Sequence, residues 1–459
     1  MLDELIHSAH AWGLGQKYDA QRTRELRHQV LLDLHAHYLQ AIPLYRRIAQ
    51  EAGIGKLTDL DPILQNLMLT DDIFKSYDLK WLDEGDFSRM NAWLAQIFAH
   101  PVDIDVSKIT SIGEWIDCLQ ANGIRLLCSS GTSGRFSFIP RDPETWSLHK
   151  FTNTGLAAAI LWDKKIGPAW QRLAIRSILL HAPQLLRQPR ANARLADYDA
   201  VFLDFAKGRT GNQTLEQELA PFFHAHAFLY NVELTPSVVR ILARGPASDA
   251  ERTQVSALQE QVVARKEENF GQVTAFMRQA AQAGRKLFMF GAGPQYKELC
   301  EYIAAQSVPL ALPPGSLALF GGGWKSFSGE KLSPEKMVKL LSDTLALPPE
   351  RIMEGYSMTE INAFMFRCSA GRFHIPPMIE PVIFNDALEP LSGGELHGII
   401  GFLDPLARAY PGFIISGDEV HYIDGLCPCG KSGPAVTSIS RAQAREVKGC
   451  GGIMASLQA

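Results

Sequence analysis

Between positions 20 and 52 ("AQRTRELRHQVLLDLHAHYLQAIPLYRRIAQEAG") apolar and charged residues alternate at helical spacing, interrupted at Pro43 and closed by Gly53. That pattern predicts a helical entry region. Polarity rises after "LTDDIFKSYD", and residues 84–124 read as short helices punctuated by Pro101. Short apolar runs follow: "IRLLCSS", "RLAIRSILLHA", "DYDAVFLDF", "RKLFMFGAG" and "GSLALFGGGW". They are strand candidates separated by helical stretches, the alternation expected of an α/β fold with mainly parallel sheets flanked by helices. Residues 250–284 carry the longest helical signal, rich in Ala, Gln, Glu and Arg and ended by Gly284. From Arg372 onward the runs "RFHIPPMIEPVIFND", "ELHGIIGFLDP" and "GFIISGDEVHYIDG" are broken by Gly and Pro, which predicts a β-rich, more antiparallel C-terminal subdomain.

Composition narrows the function classes. At 459 residues the chain exceeds the size at which one hydrophobic core keeps growing, so more than one domain is expected. Apolar residues make up 46% and charged residues 20%, the balance of a globular protein. A formal charge of −4 with no long Lys/Arg block argues against a mainly electrostatic nucleic-acid binder and favours small-molecule partners. No apolar stretch approaches the roughly 18 residues of a membrane span, and "MLDELIHSAHAWGL" lacks the layout of a signal peptide. The expectation is a cytoplasmic protein without a membrane partner. Seven cysteines, sparse and odd in number, do not form a secreted disulfide framework.

The polar stretch "LLCSSGTSGRFSFIPRD" directly follows a strand candidate. Backbone N–H groups of Gly131 and Gly134, with the hydroxyls of Ser129, Ser130, Thr132 and Ser133, suit a phosphate, and Arg135 and Arg141 add positive charge nearby. Alone, the stretch reads equally as a ligand-free surface loop, and it is no Walker loop. In "EGYSMTE", Tyr356 is able to stack on a purine, Thr359 to bond a phosphate and Glu360 to hold Mg²⁺. "ISGDEV" places Asp418 after a strand, where a carboxylate accepts ribose hydroxyls, and "ISRAQ" offers Arg441.

In order and rough spacing, "SSGTSG", "GGGW", "GYSMTE", "SGDE" and "SRAQ" resemble the core motifs of the adenylate-forming acyl ligase superfamily over about residues 70–450. "LTDDIFKSYD", "GGGWK" and "GRFHIPP" further resemble its acyl-protein synthetase branch. The resemblance implies ATP-dependent conversion of a carboxylic acid to an acyl-adenylate, then transfer to a thiol. It places Ser129–Gly134 at the β and γ phosphates and Thr132 with Glu360 at Mg·ATP. Gly322, Gly323 and Tyr356 fall around adenine, Thr359 falls at the α-phosphate, and Ser357 and Met358 of the same turn are among the nucleotide-binding residues. Asp418 and Arg441 fall at the ribose. It also implies four segments: a helical N-terminal region (1–124), an α/β core with the nucleotide loop (125–370), a β-rich subdomain (371–440) and a hinge-like tail (441–459).

Two departures matter. The mobile C-terminal domain of larger members, with its catalytic lysine, is expected to be absent, and Lys325 in "GGGWK" is the substitute candidate. Ser440 stands where the superfamily has Gly before the hinge arginine. Two other readings stay open: an acyl- or aryl-CoA or carrier-protein ligase, and a non-catalytic nucleotide- or acyl-binding protein.

Cys450 in "VKGCGG" lies between glycines, with Lys448 and Arg445 near enough in sequence to lower its pKa. By resemblance it accepts the acyl group as a thioester; otherwise it is a free thiol in a tail. Cys427 and Cys429 in "CPCG", with Cys368 and His374 in "CSAGRFH", supply the donors of a tetrahedral structural Zn²⁺, the alternative being free thiols and a His374 that merely lies on a strand. His181 reads as a core histidine, and "GAGP" lacks the third glycine of a dinucleotide turn.

Overall fold

The computed structural model describes residues 1–15, 19–129, 135–163, 169, 173, 176–177, 197–306, 308–322, 324 and 330–442. The chain forms two compact units. The described residues of one fall within Met1–Leu127, Ser137–Gln188 and Ser357–Arg445, and those of the other within Cys128–Phe136 and Pro189–Tyr356.

In the first unit the N-terminal pattern folds as read. Helix Ala20–Ala41 is N-capped by Asp19, whose side chain accepts from the Arg22 N–H. Helix Pro43–Glu51 then starts with Pro at its first position, where the missing N–H costs nothing. Gly53 ends it at φ +68°, a left-handed conformation that glycine adopts without strain. The β-rich part is a sheet in the order Phe373–His374, Ser432–Arg441, Phe413–Leu426, Glu395–Leu403, Glu380–Phe384, antiparallel throughout that path. Its long central strand also pairs in parallel with Leu69–Thr70, at Leu69↔Ile414 and Thr70↔Ile415. This short strand fixes the following Asp71 against the sheet, although more than 300 residues separate the partners.

The second unit carries a parallel sheet whose neighbouring strands run His226–Glu233, Tyr198–Lys207, Lys286–Ala292, Leu317–Gly321, Ile352–Tyr356. In strand Tyr198–Lys207 the first six residues are buried in succession, the signature of a strand covered on both faces. The expected α/β fold with parallel strands and a β-rich C-terminal region is therefore present.

Three details differ from the expectation. The run at 250–284 is two helices, Asp249–Gln259 and Lys266–Gln282, joined by a π-helical turn over Glu260–Ala264. Buried positions Val255, Leu258, Val262 and Phe270 continue the helical period across the join, so periodicity cannot reveal it. Within "RLAIRSILLHA" the described residues Leu173, Arg176 and Ser177 are helical rather than extended, because a short apolar run fits either period. Strand His226–Glu233 has a weak, partly exposed pattern and went unread.

Candidate active site

The loop motif sits between two strands, Arg125–Ser129 and Ser137–Arg141, as its position after an apolar run requires. Ser129 closes the first strand, and its Oγ is buried without a hydrogen-bond partner among the described residues. Ser130, Gly131, Thr132, Ser133 and Gly134 lie outside the described residues.

The second motif is built from below. Strand Ile352–Tyr356 ends at Tyr356, and the chain turns through Ser357 and Met358 to Thr359 and Glu360, with Glu360 only 4% exposed. Arg141 Nη2 donates to the Thr359 carbonyl at 2.8 Å, and Tyr410 Oη donates to the Glu360 carbonyl at 3.1 Å. The amide of Asn362 donates to Asp404 Oδ2 at 2.7 Å, while its Nδ2 reaches Asp404 Oδ2 at 2.8 Å and Tyr410 Oη at 2.9 Å. Asn362 Oδ1 accepts from Arg141 Nε at 3.0 Å, closing the network. Burial raises the Asp404 pKa, while hydrogen bonds from Leu406 and Asn362 and the charge of Arg141 oppose that rise. The sequence reading gave Arg141 to the phosphates, but the structure buries it completely and points it at backbone and side-chain carbonyl oxygens. His149, which no motif marked, lies in the same unit, stacked on Trp146 at 5.1 Å and 14°. Burial, then the nearby Arg141 charge, hold its pKa well below the usual value, so it is neutral near pH 7.

Asp418 and Arg441 are cross-strand partners, and Arg441 Nη1 donates to Asp418 Oδ1 at 2.8 Å. Gly417 permits this: a Cβ there would lie 2.6 Å from the guanidinium carbon. A second buried carboxylate, Asp71, stands 4.0 Å from Arg441 Nη2. Asp71 belongs to "LTDDIFKSYD", a stretch the sequence reading used for resemblance without giving it a role.

In the second unit Gly322 follows strand Leu317–Gly321 at φ +82°. Gly321 pairs with Gly355, and a Cβ on Gly321 would lie 2.8 Å from the Gly355 oxygen, so two bare backbones run side by side just before Tyr356. The ring of Trp324 covers Gly293, where a Cβ would meet it at 3.0 Å, which gives "GAGP" a packing role. Gly323 and Lys325 lie outside the described residues, as do His181 and Cys450.

The same unit holds a cavity of about 20 Å³ lined by Asp204, Gln213, Glu216, Tyr230 and Gln295 among others. Gln213 Nε2 donates to Asp204 Oδ1 at 3.0 Å. Burial, then repulsion from Asp204, raise the Glu216 pKa well above 4.5. Below that pH the carboxyl is protonated in both folded and unfolded chains. Above it the unfolded chain releases its proton while the folded chain keeps it, so stability falls as pH rises. Glu216→Gln removes this slope. Melting curves are expected to show a larger gain for the variant at pH 8 than at pH 5; equal gains would place the charge elsewhere.

The four proposed metal ligands are brought together: donor atoms of Cys368, His374, Cys427 and Cys429 all lie within 4.8 Å of one another. Cys368 and Cys427 sulfurs are 3.8 Å apart, and Cys429 Sγ is 3.3 Å from His374 Nε2. Zn–S bonds of about 2.3 Å and Zn–N bonds of about 2.05 Å in a tetrahedron give S···S edges of about 3.8 Å and S···N edges of about 3.6 Å. The cluster fits that ion. His374 also lies on a strand, so the two sequence readings of this residue are compatible. Trp12 of the N-terminal helix packs its ring 6.3 Å from that of His374, and Lys431 lies 4.5 Å over Trp12.

Residues 263–458, which contain the Glu360 turn, the Asp418–Arg441 pair and the cysteine cluster, match the family "Acyl-protein synthetase, LuxE". A long-chain-fatty-acid–luciferin-component ligase of Aliivibrio fischeri is 28% identical over 161 residues, 35% of this chain. The match spans 42% of that relative's length. A crystal structure of 2-hydroxyisobutyryl-CoA ligase in complex with 2-HIB-AMP and CoA superposes with a TM-score of 0.50 at 14% identity, covering 93% of this chain and 70% of that one. At that identity the likeness concerns the fold alone. Outside the matched stretch lie the N-terminal helices, residues 129–134 and Arg141. Among the described residues no helix is long and apolar enough to cross a membrane.

Proposed function

We propose that the chain activates a carboxylic acid with ATP and passes the acyl group to a protein thiol. A carboxylate oxygen attacks the α-phosphorus, pyrophosphate leaves, and a thiolate then attacks the acyl carbonyl and releases AMP. Chemistry of this kind asks the protein for positioning and for charge where the phosphoryl oxygens become more negative. The single observation that carries the reading is the Thr359–Glu360 turn, where two successive carbonyls are pinned from beneath and a carboxylate is held in a buried position.

In this reading Ser129–Gly134 grip the leaving pyrophosphate, Glu360 with Thr132 would hold Mg²⁺, and Thr359 bonds the α-phosphate. The ion supplies neutralising charge on the triphosphate when bound. Gly322, Gly323 and Tyr356 form the adenine surface, continued by Ser357 and Met358, and Lys325 supplies a cation toward the α-phosphate. Asp418 takes the ribose hydroxyls, and Arg441, its cross-strand partner, borders them. Cys450 receives the acyl group. Cys368, His374, Cys427 and Cys429 would hold a structural Zn²⁺ that would tie the 366–374 segment to the end of the long central strand, apart from the chemistry.

Intact-mass measurement after incubation with ATP, Mg²⁺ and a mixture of fatty and aryl acids tests the proposal. A single acyl adduct, labile to hydroxylamine and missing from Cys450→Ser, is the expected result. An adduct that survives in Cys450→Ser moves the acceptor to another thiol; transfer to added coenzyme A at the parent rate by that variant favours a CoA ligase.

A further inference from the structure

Arg141 is the last residue of the strand that leaves the 129–134 loop, and it is 0% exposed. A buried guanidinium is costly unless its donors are met, and an apolar side chain of similar volume usually serves stability as well. Here Nε and Nη2 are spent on one target, while Nη1 is buried without a hydrogen-bond partner among the described residues. Nη2 holds the Thr359 carbonyl at 2.8 Å and Nε holds Asn362 Oδ1 at 3.0 Å, so one rigid fork spans the turn that carries Glu360. Its central carbon lies 5.3 Å over the Tyr410 ring, whose hydroxyl pins the next carbonyl, that of Glu360. Asn362 in turn is locked by Asp404 through both its amide and its Nδ2. The peptide planes on either side of Glu360 are thereby fixed, which sets the directions in which the Thr359 and Glu360 side chains leave the backbone.

We infer that Arg141 is a positioning residue that aims the Thr359 hydroxyl and the Glu360 carboxylate at Mg·ATP, and that it links this turn to the strand leaving the Ser/Thr-rich loop. The inference rests on the adenylation reading. Lysine cannot replace the fork, since a single ammonium lacks the planar pair of donors that meets two acceptors at fixed spacing. A merely structural Arg141 would move melting temperature and leave metal dependence alone; a positioning Arg141 moves the metal dependence.

The test uses the full chain with Arg141→Lys and, because that variant risks misfolding, Tyr410→Phe, which deletes the hydroxyl that donates to the Glu360 carbonyl and accepts from Asn362 Nδ2. Acid-dependent pyrophosphate exchange is measured against Mg²⁺ concentration at saturating ATP, and Mg·ATP binding by calorimetry. Arg141→Lys is expected to raise the Mg²⁺ midpoint about tenfold and lower maximal exchange about 100-fold, with Tyr410→Phe shifting the midpoint in the same direction by a smaller factor. An unchanged midpoint in the folded variants overturns the inference, whatever happens to the melting temperature. If the parent binds Mg·ATP but exchanges with no acid, the adenylation reading fails by itself, and Arg141 is judged on the calorimetric affinity: an unchanged value in Arg141→Lys rejects it. A parent that does not bind Mg·ATP rejects both.

Discussion

Glu360→Gln is expected to lower acid-dependent pyrophosphate exchange about 100-fold or more while leaving the chain folded, an effect of the size seen when one preorganised electrostatic contact to a transition state is removed. Glutamine keeps the shape and the hydrogen-bonding reach of the side chain but not its charge, so the loss isolates the carboxylate's role toward Mg²⁺. The turn itself is secured through backbone carbonyls, from Arg141 and Tyr410, and those bonds do not involve the substituted group. Those backbone bonds are expected to hold the fold in the variant. Melting temperature and far-UV circular dichroism check the fold, and exchange rate checks the chemistry. Parent-level exchange by the variant would exclude Glu360 from the reaction.

The second large effect concerns the cysteine cluster. Elemental analysis is expected to find one zinc per chain, and removal by a strong chelator to lower the melting temperature by roughly 8–16 °C. That figure follows from a free ion at 1,000 times its dissociation constant, which contributes about 4 kcal/mol to the folded state, and from the 2–4 °C per kcal/mol typical of units of this size. His374→Ala should produce the same shift and make the protein insensitive to chelation. Trp12, whose ring faces His374, gives an optical readout, and its emission should change when the metal is withdrawn. A protein with less than a trace of zinc, or a chelator-insensitive melting curve, removes the metal from the account.

How much of this could be read from residues alone varies by element. Strands such as Tyr198–Lys207 and Lys286–Ala292 were legible because burial on both faces demands an unbroken apolar run. The cluster of Cys368, His374, Cys427 and Cys429 was legible because its thiol and imidazole groups fall in two short stretches. Arg141 was misread: its neighbours in sequence are phosphate-like, while its partners Thr359 and Asn362 lie more than 200 residues away. Asp71 was passed over for the same reason, since only the pairing of Leu69–Thr70 with Ile414–Ile415 brings it to Arg441. His149 carries no local signal at all, and its neutral state arises from burial beside Arg141. Local pattern thus records what a residue is, and long-range pairing decides what it meets.

The most direct test of the central claim is isotope exchange between labelled pyrophosphate and ATP, run with Mg²⁺ and a panel of fatty acids of graded length and aryl acids. Label entering ATP only when one class of acid is present, and lost with Glu360→Gln, is the predicted result. Tight Mg·ATP binding with no exchange for any acid in the panel would contradict it.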